Sequence, residues 1–166
     1  MFGIEFLTGI AQNFGYLGFF LVGFLSSFTL FIPSPAFIVV FFSAPFFNPL
    51  LLGIAAGLGS AVGEMTGYIV GHGIEKLAEK KKKKIKKDIM KIDRLFKRHH
   101  PDVVIFVFSA LPLLPIDAIG IFCGAIGYNK KRFFFFVLIG KLIKFIALAY
   151  LGFYGVGAVL GWLGWA

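Results

Sequence analysis

The chain has 166 residues, a net charge of +9, 58% hydrophobic residues with 23 phenylalanines, and a mean hydropathy of +0.88. A soluble domain is roughly 45–50% apolar, and a small aqueous core could not bury so many rings, so the composition points to a membrane protein of one domain and against a soluble globule. The single cysteine, Cys123, excludes an intrachain disulfide framework and a cysteine metal site, and it reads as a small packing residue.

Taken in chain order, residues 1–12 carry no lysine or arginine and read as a short interfacial helix with a retained N-terminus. Residues 14–32 form an apolar run about 28 Å long if helical. It meets Pro33 and Pro35, which cannot continue a regular helix. The apolar segment 36–47 that follows is too short to span, which predicts the return limb of a re-entrant hairpin; one long kinked helix is the alternative. Asn48-Pro49 then marks a turn, and 50–73 is long enough for a full span.

Residues 74–98 alternate lysines with Ile74, Leu77, Ala78, Ile85, Ile89, Ile92 and Phe96 at helical spacing. This predicts a basic amphipathic helix on the membrane surface, with a solvated linker helix as the alternative. Residues 76–98 hold twelve of the 17 Lys and Arg, and Lys130, Lys131 and Arg132 hold three more. Because the basic stretch lies between apolar segments, anionic lipid is a better partner for it than nucleic acid. A second limb begins at Val103 and breaks at Pro112 and Pro115; a short limb, Asn129 and a span over 133–153 follow. The tail 156–166, with two tryptophans, suits the interface.

The order of elements thus occurs twice. An offset of 81 aligns Asn48 with Asn129, Gly59 with Gly140 and Gly71 with Gly152. Repeat 1 covers 14–73, the connector 74–100 and repeat 2 101–155. The basic segments flank the second hairpin, so 76–98 and 130–132 are expected on the cytoplasmic side. The first hairpin then opens outward, which makes the repeats inverted, as in secondary transporters. The expected fold class is an all-α integral membrane protein. It has two inverted repeats, each a re-entrant proline-broken helical hairpin followed by a transmembrane helix, and an amphipathic basic helix joins them.

Ser60, Glu64, Tyr68 and His72 recur every four residues and form a polar stripe on the first span. Gly59, Gly63, Gly67 and Gly71 form the adjacent stripe, which admits a neighbouring backbone. Lys141 and Lys144 share a face of the second span, and Asp117 follows the second break. A charge at the bilayer centre costs about 2.5–3.5 kcal/mol on insertion scales. Glu64, Tyr68, Asp117, Lys141 and Lys144 are therefore candidates for substrate binding or a proton relay, with Glu64 expected to face Lys141 or Lys144. A structural ion pair, snorkelling lysines, and glycines that serve packing alone remain the alternatives. His72 is expected near the cytoplasmic interface in a plain polar role. No HExxH, GxSxG or P-loop occurs, and His99-His100 makes a poor metal site, so neither an enzyme nor a metal or other cofactor is expected.

The stretch GSAVGEMTGYIVGHG, then FKRHHPDVVIFVFSALPLLP and AIGIFCGAIGYNKKRFFFFVLIGK, resembles the DedA family, also called SNARE-associated or VTT-domain proteins, over about residues 28–155. Its motifs here are Gly59, Gly63, Glu64, Tyr68 and Gly71, and a proline-broken limb with a small-Gly pair before an aromatic span. The chain looks like a divergent branch: Ser109 and Pro115 stand where members carry arginines, and Ala36 where they carry an acidic residue. The resemblance implies two re-entrant hairpins and transport of a lipid or lipid carrier, with membrane lipids and anionic headgroups as partners. A prokaryotic plasma membrane is the expected location, and a homo-oligomer is left open. The alternative is a non-transporting scaffold or assembly factor.

Overall fold

The computed structural model describes residues 2–27, 35–77, 96, 100–111 and 116–162, and their side chains over 14–27, 35–73, 96, 100–111, 119–155 and at 158. Pro33, Pro112, Pro115 and most of the basic connector lie outside the described residues, so the expected breaks at those prolines and the surface helix fall there too. Among the described residues all regular structure is helical.

Helix α1, Phe2–Ser26, bends at Gly15, whose φ of 53° and ψ of −131° suit a residue without Cβ. That bend separates the expected N-terminal helix from the first apolar limb. Helix α2, Pro35–Ser43, opens on Pro35 and runs into a 3-10 turn, Ala44–Phe46. Proline suits a first turn because its missing N–H has no intrahelical acceptor there. The long helix α3 is Pro49–Leu77. Then come α4, Pro101–Ala110, and α5, Ile116–Ala125. The last helix, α6, is Lys130–Trp162. Within α3 and α6, Pro49–Gly73 and Lys130–Gly155 are long and apolar enough to cross a membrane. Residues 156–162, expected as part of a separate tail, continue α6.

The two asparagines read as turns are the caps of the long helices. Asn48 Oδ1 accepts from the N–H groups of Leu50 and Leu51 at 3.0 and 3.2 Å. Asn129 Oδ1 accepts from Lys131 and Arg132 at 3.0 and 3.1 Å. Each satisfies first-turn donors that a helix cannot satisfy itself.

The chain packs as two compact units, Met1–Gly63 with Lys141–Ala166, and Glu64–Gly140. Their boundaries fall inside α3 and α6 rather than in loops, so each long helix contributes one part to each unit.

In the first unit, Phe19 and Val22 of α1, Val39 and Val40 of α2, Leu52 and Ala56 of α3, and Phe145 and Ala149 of α6 form a fully buried cluster. Glycines hold the helices close. A Cβ on Gly63 would lie 2.6 Å from Ser27 Cβ and 2.7 Å from the Phe24 carbonyl. One on Gly53 would lie 2.6 Å from Ile146 Cα, and one on Gly152 would strike the Phe41 carbonyl. Ser26 Oγ accepts from the Ala36 N–H at 3.0 Å, which ties the end of α1 to the first turn of α2.

The second unit uses the same device. Gly71 of α3 meets the Ile121 carbonyl of α5, and Gly124 of α5 meets the Tyr68 carbonyl of α3. A Cβ on Gly140 would lie 2.5 Å from Ser109 Cβ and 2.9 Å from the Phe106 carbonyl. Val104, Ile105, Ile119, Phe122, Phe133 and Val137 are buried. Both units also expose large apolar side chains, among them Leu17, Phe42, Phe46 and Leu151 in the first and Ile69, Val70, Val103 and Phe135 in the second. Such surfaces suit hydrocarbon better than water.

Candidate functional site

Glu64 is the most deeply buried acidic or basic side chain among the described residues, at 1% exposure. It lies mid-way along the apolar helix α3, where intrahelical bonds leave its carboxylate as the polar group to accommodate. Opposite it on α5 is Gly120: a Cβ there would lie 3.4 Å from Glu64 Oε1 and 3.6 Å from Phe133 Cζ. One turn on, Tyr68 is buried with its ring 5.3 Å from that of Phe133.

The Tyr68 hydroxyl donates to the Tyr128 carbonyl. Gly127, at φ 65°, positions that carbonyl by ending α5 in a left-handed residue, with the Tyr128 N–H bonded back to the Cys123 carbonyl at 2.9 Å. Tyr128 in turn donates its hydroxyl to Asp102 in the first turn of α4. Burial, then the Asp102 hydrogen bond and charge, push the Tyr128 phenol above its ordinary pKa, so it stays a donor. Phe96 packs its ring 5.2 Å from Phe122 and 6.4 Å from Tyr128. This chain of bonds is a brace and not a proton wire, because a backbone carbonyl accepts a hydrogen bond but passes no proton on.

Glu64 and Tyr68 belong to the second unit, as does Asp117, which is in the first turn of α5. Lys141 and Lys144 belong to the first unit. There Lys141 is 5% exposed, and Lys144 is half-buried with Nζ 5.2 Å from the centre of the Phe37 ring, within cation–π range. Of the polar stripe, Ser60 is buried and in contact with Ser27, whose Oγ is 3.0 Å from the Ser60 carbonyl. His72 is exposed. The glycine stripe divides. Gly59 and Gly63 meet α1, Gly71 meets α5, and Gly67 is half-buried. Pro35 is the break residue that the structure describes.

Sequence reasoning missed Asp102, Tyr128, Gly120 and Gly124. Asp102 carried a signal as the acidic residue after Pro101, a helix-start pattern. Gly120 and Gly124 share a helix face at a spacing of four, as the α3 glycines do. Nothing local marked Tyr128.

The family model described as the VTT domain matches residues 32–154, a range that takes in both long helices through Tyr154. Among curated proteins and solved structures, none matches the chain.

Proposed function

Because the chain belongs to the VTT-domain family, we propose that this membrane protein translocates a lipid or lipid carrier with an anionic phosphate headgroup across the bilayer, coupled to proton movement through Glu64. The observation that carries the reading is the burial of Glu64 within a helix long and apolar enough to span. A carboxylate held at such depth is costly unless it serves transport or a specific pairing. Lys141 and Lys144 supply the positive charge that attracts the phosphate, and Asp117 is the second acidic group of the pathway.

The proposed architecture is two inverted repeats with re-entrant hairpins. Several findings support it. Asn48 and Asn129 cap the two long helices alike. Gly59 and Gly140, aligned at the offset of 81, each meet a phenylalanine carbonyl of a preceding limb, Phe20 and Phe106. The limb helix α4 is 10 residues long, about half of what crossing the hydrocarbon requires. In the same reading the basic clusters at 76–98 and 130–132 face the cytoplasm, next to anionic lipid.

A scaffold without transport is the second reading. The brace from Tyr68 through Tyr128 to Asp102 favours it, since both tyrosine hydroxyls have partners within the chain. Reconstitution decides between the two. Vesicles containing the purified protein are assayed for headgroup translocation with phosphatidylglycerol, phosphatidylethanolamine and a polyprenyl phosphate. Translocation of at least one, reduced by Glu64→Gln to the level of protein-free vesicles with the thermal melt retained, is expected. Absence of translocation for all three favours the scaffold.

A further inference from the structure

The two units give the helices a common register. Gly71 of α3 meets the Ile121 carbonyl of α5, and Gly152 of α6 meets the Phe41 carbonyl of α2. Aligning these two contacts pairs α3 with α6 at an offset of 81, and α2 with α5 at an offset of 80. In that register Glu64 corresponds to Phe145 and Tyr68 to Ala149, and all four are buried. On the facing helix Gly120 corresponds to Val40 and Gly124 to Ala44, again all buried.

The second unit therefore lacks a side chain at the two positions that face its polar groups. At Gly124 the reason is backbone contact, since a Cβ would strike the Tyr68 carbonyl. At Gly120 the reason is different. A Cβ there would lie 3.4 Å from Glu64 Oε1, 3.6 Å from Phe133 Cζ and 3.6 Å from the Tyr68 backbone nitrogen, ordinary contact distances that a methyl group would just fill. Helix packing alone would thus accept alanine at 120, so the glycine is not explained by close approach of backbones. The first unit has valine and phenylalanine at the corresponding positions, both in its buried cluster.

We infer that Gly120 is a positioning residue for Glu64: its missing side chain keeps open the space in which the carboxylate turns between its protein contacts and the translocated headgroup. A methyl at 120 would hold the carboxylate in one rotamer, whereas the shorter aspartate would withdraw from it. This inference rests on the transport reading for its functional half and on packing alone for its structural half.

Two arms test it. In the vesicle assay, Gly120→Ala is expected to keep the thermal melt and to lower translocation by about tenfold, as small displacements of a working group do. Combining Gly120→Ala with Glu64→Asp is expected to raise translocation above that of Gly120→Ala alone. Unchanged translocation in Gly120→Ala, or no gain in the combination, overturns the inference. The second arm reads only melting temperature in detergent. Gly120→Val should lower it by several degrees, and adding Glu64→Ala, which frees volume beside residue 120, should recover most of the loss. Absence of recovery overturns the pairing of the two positions. If the unmodified protein moves no lipid, the transport reading fails, and the melting arm still decides whether residue 120 sets the space around residue 64.

Discussion

In the first unit, the register shared by the long helices places Phe145 and Ala149 in an apolar cluster; in the second it places Glu64 and Tyr68 beside Gly120 and Gly124. The frame around these positions is alike. Glycines set against carbonyls hold the crossings, and an asparagine caps each long helix. In the proposed repeat architecture one copy of the frame is filled by an apolar set of residues, so in that reading the frame does not itself require a carboxylate. In the same reading the polar residues of the second unit are an addition to the scaffold, and burying a carboxylate costs stability. That contrast is the physical reason for placing the proposed function at Glu64 and its surroundings.

Breaking the shared frame should give the largest effects. Gly71→Ala and Gly152→Ala each drive a methyl into a carbonyl of the facing helix. Each should destabilise by about 1–3 kcal/mol, as overpacking does, and the two losses should be similar in thermal melts. A large loss from one and none from the other would show that the two contacts are not equivalent.

The asparagine caps sharpen the same comparison at lower cost. Asn48→Ala and Asn129→Ala should each lose about 1 kcal/mol, the usual value of an N-cap. Amide hydrogen exchange should report the change at Leu50 and Leu51 in one variant, and at Lys131 and Arg132 in the other. Exchange that rises at neither site would remove the caps from the shared frame.

The brace tests where the units differ. Tyr68→Phe removes the bond to the Tyr128 carbonyl and should cost about 0.5–1.5 kcal/mol in a thermal melt.

The smallest effect is on pH dependence. The folded state raises the Tyr128 pKa, so the stability linked to it is complete below the ordinary phenol value of about 10 and declines as pH rises above it. Tyr128→Phe should flatten the melting temperature in that alkaline range. The offset of 81 puts Phe47, which does not titrate, at the matching place in the first unit. An unchanged alkaline decline in Tyr128→Phe would mean that the brace is not its source.

Much of the element order was legible. Pro35, Asn48, Pro49 and Asn129 stand at the starts of helices because those residues act on their own backbone, through a missing N–H or a side chain that caps it. The joint at Gly15 and the cap at Asn129 follow from the same local chemistry. The stripe of Glu64 and Tyr68 was legible because a residue's face on a helix depends only on its spacing.

Partners were another matter. The glycine stripe on α3 announced a close neighbour, yet the structure gives it two: α1 at Gly59 and Gly63, and α5 at Gly71. Periodicity names the face that a helix buries and says nothing of what covers it, since that depends on where residues far along the chain are brought. For the same reason the division of α3 and α6 between units could not be read from a pattern that repeats without interruption along each helix. The sequence by itself determined that the chain is helical, where the two long apolar helices begin, and that Glu64 and Tyr68 share a face of one of them. Only the tertiary structure decided that Gly120 lies beside its carboxylate and that Tyr68, Tyr128 and Asp102 form one brace, because those neighbours come from three separate helices and a turn.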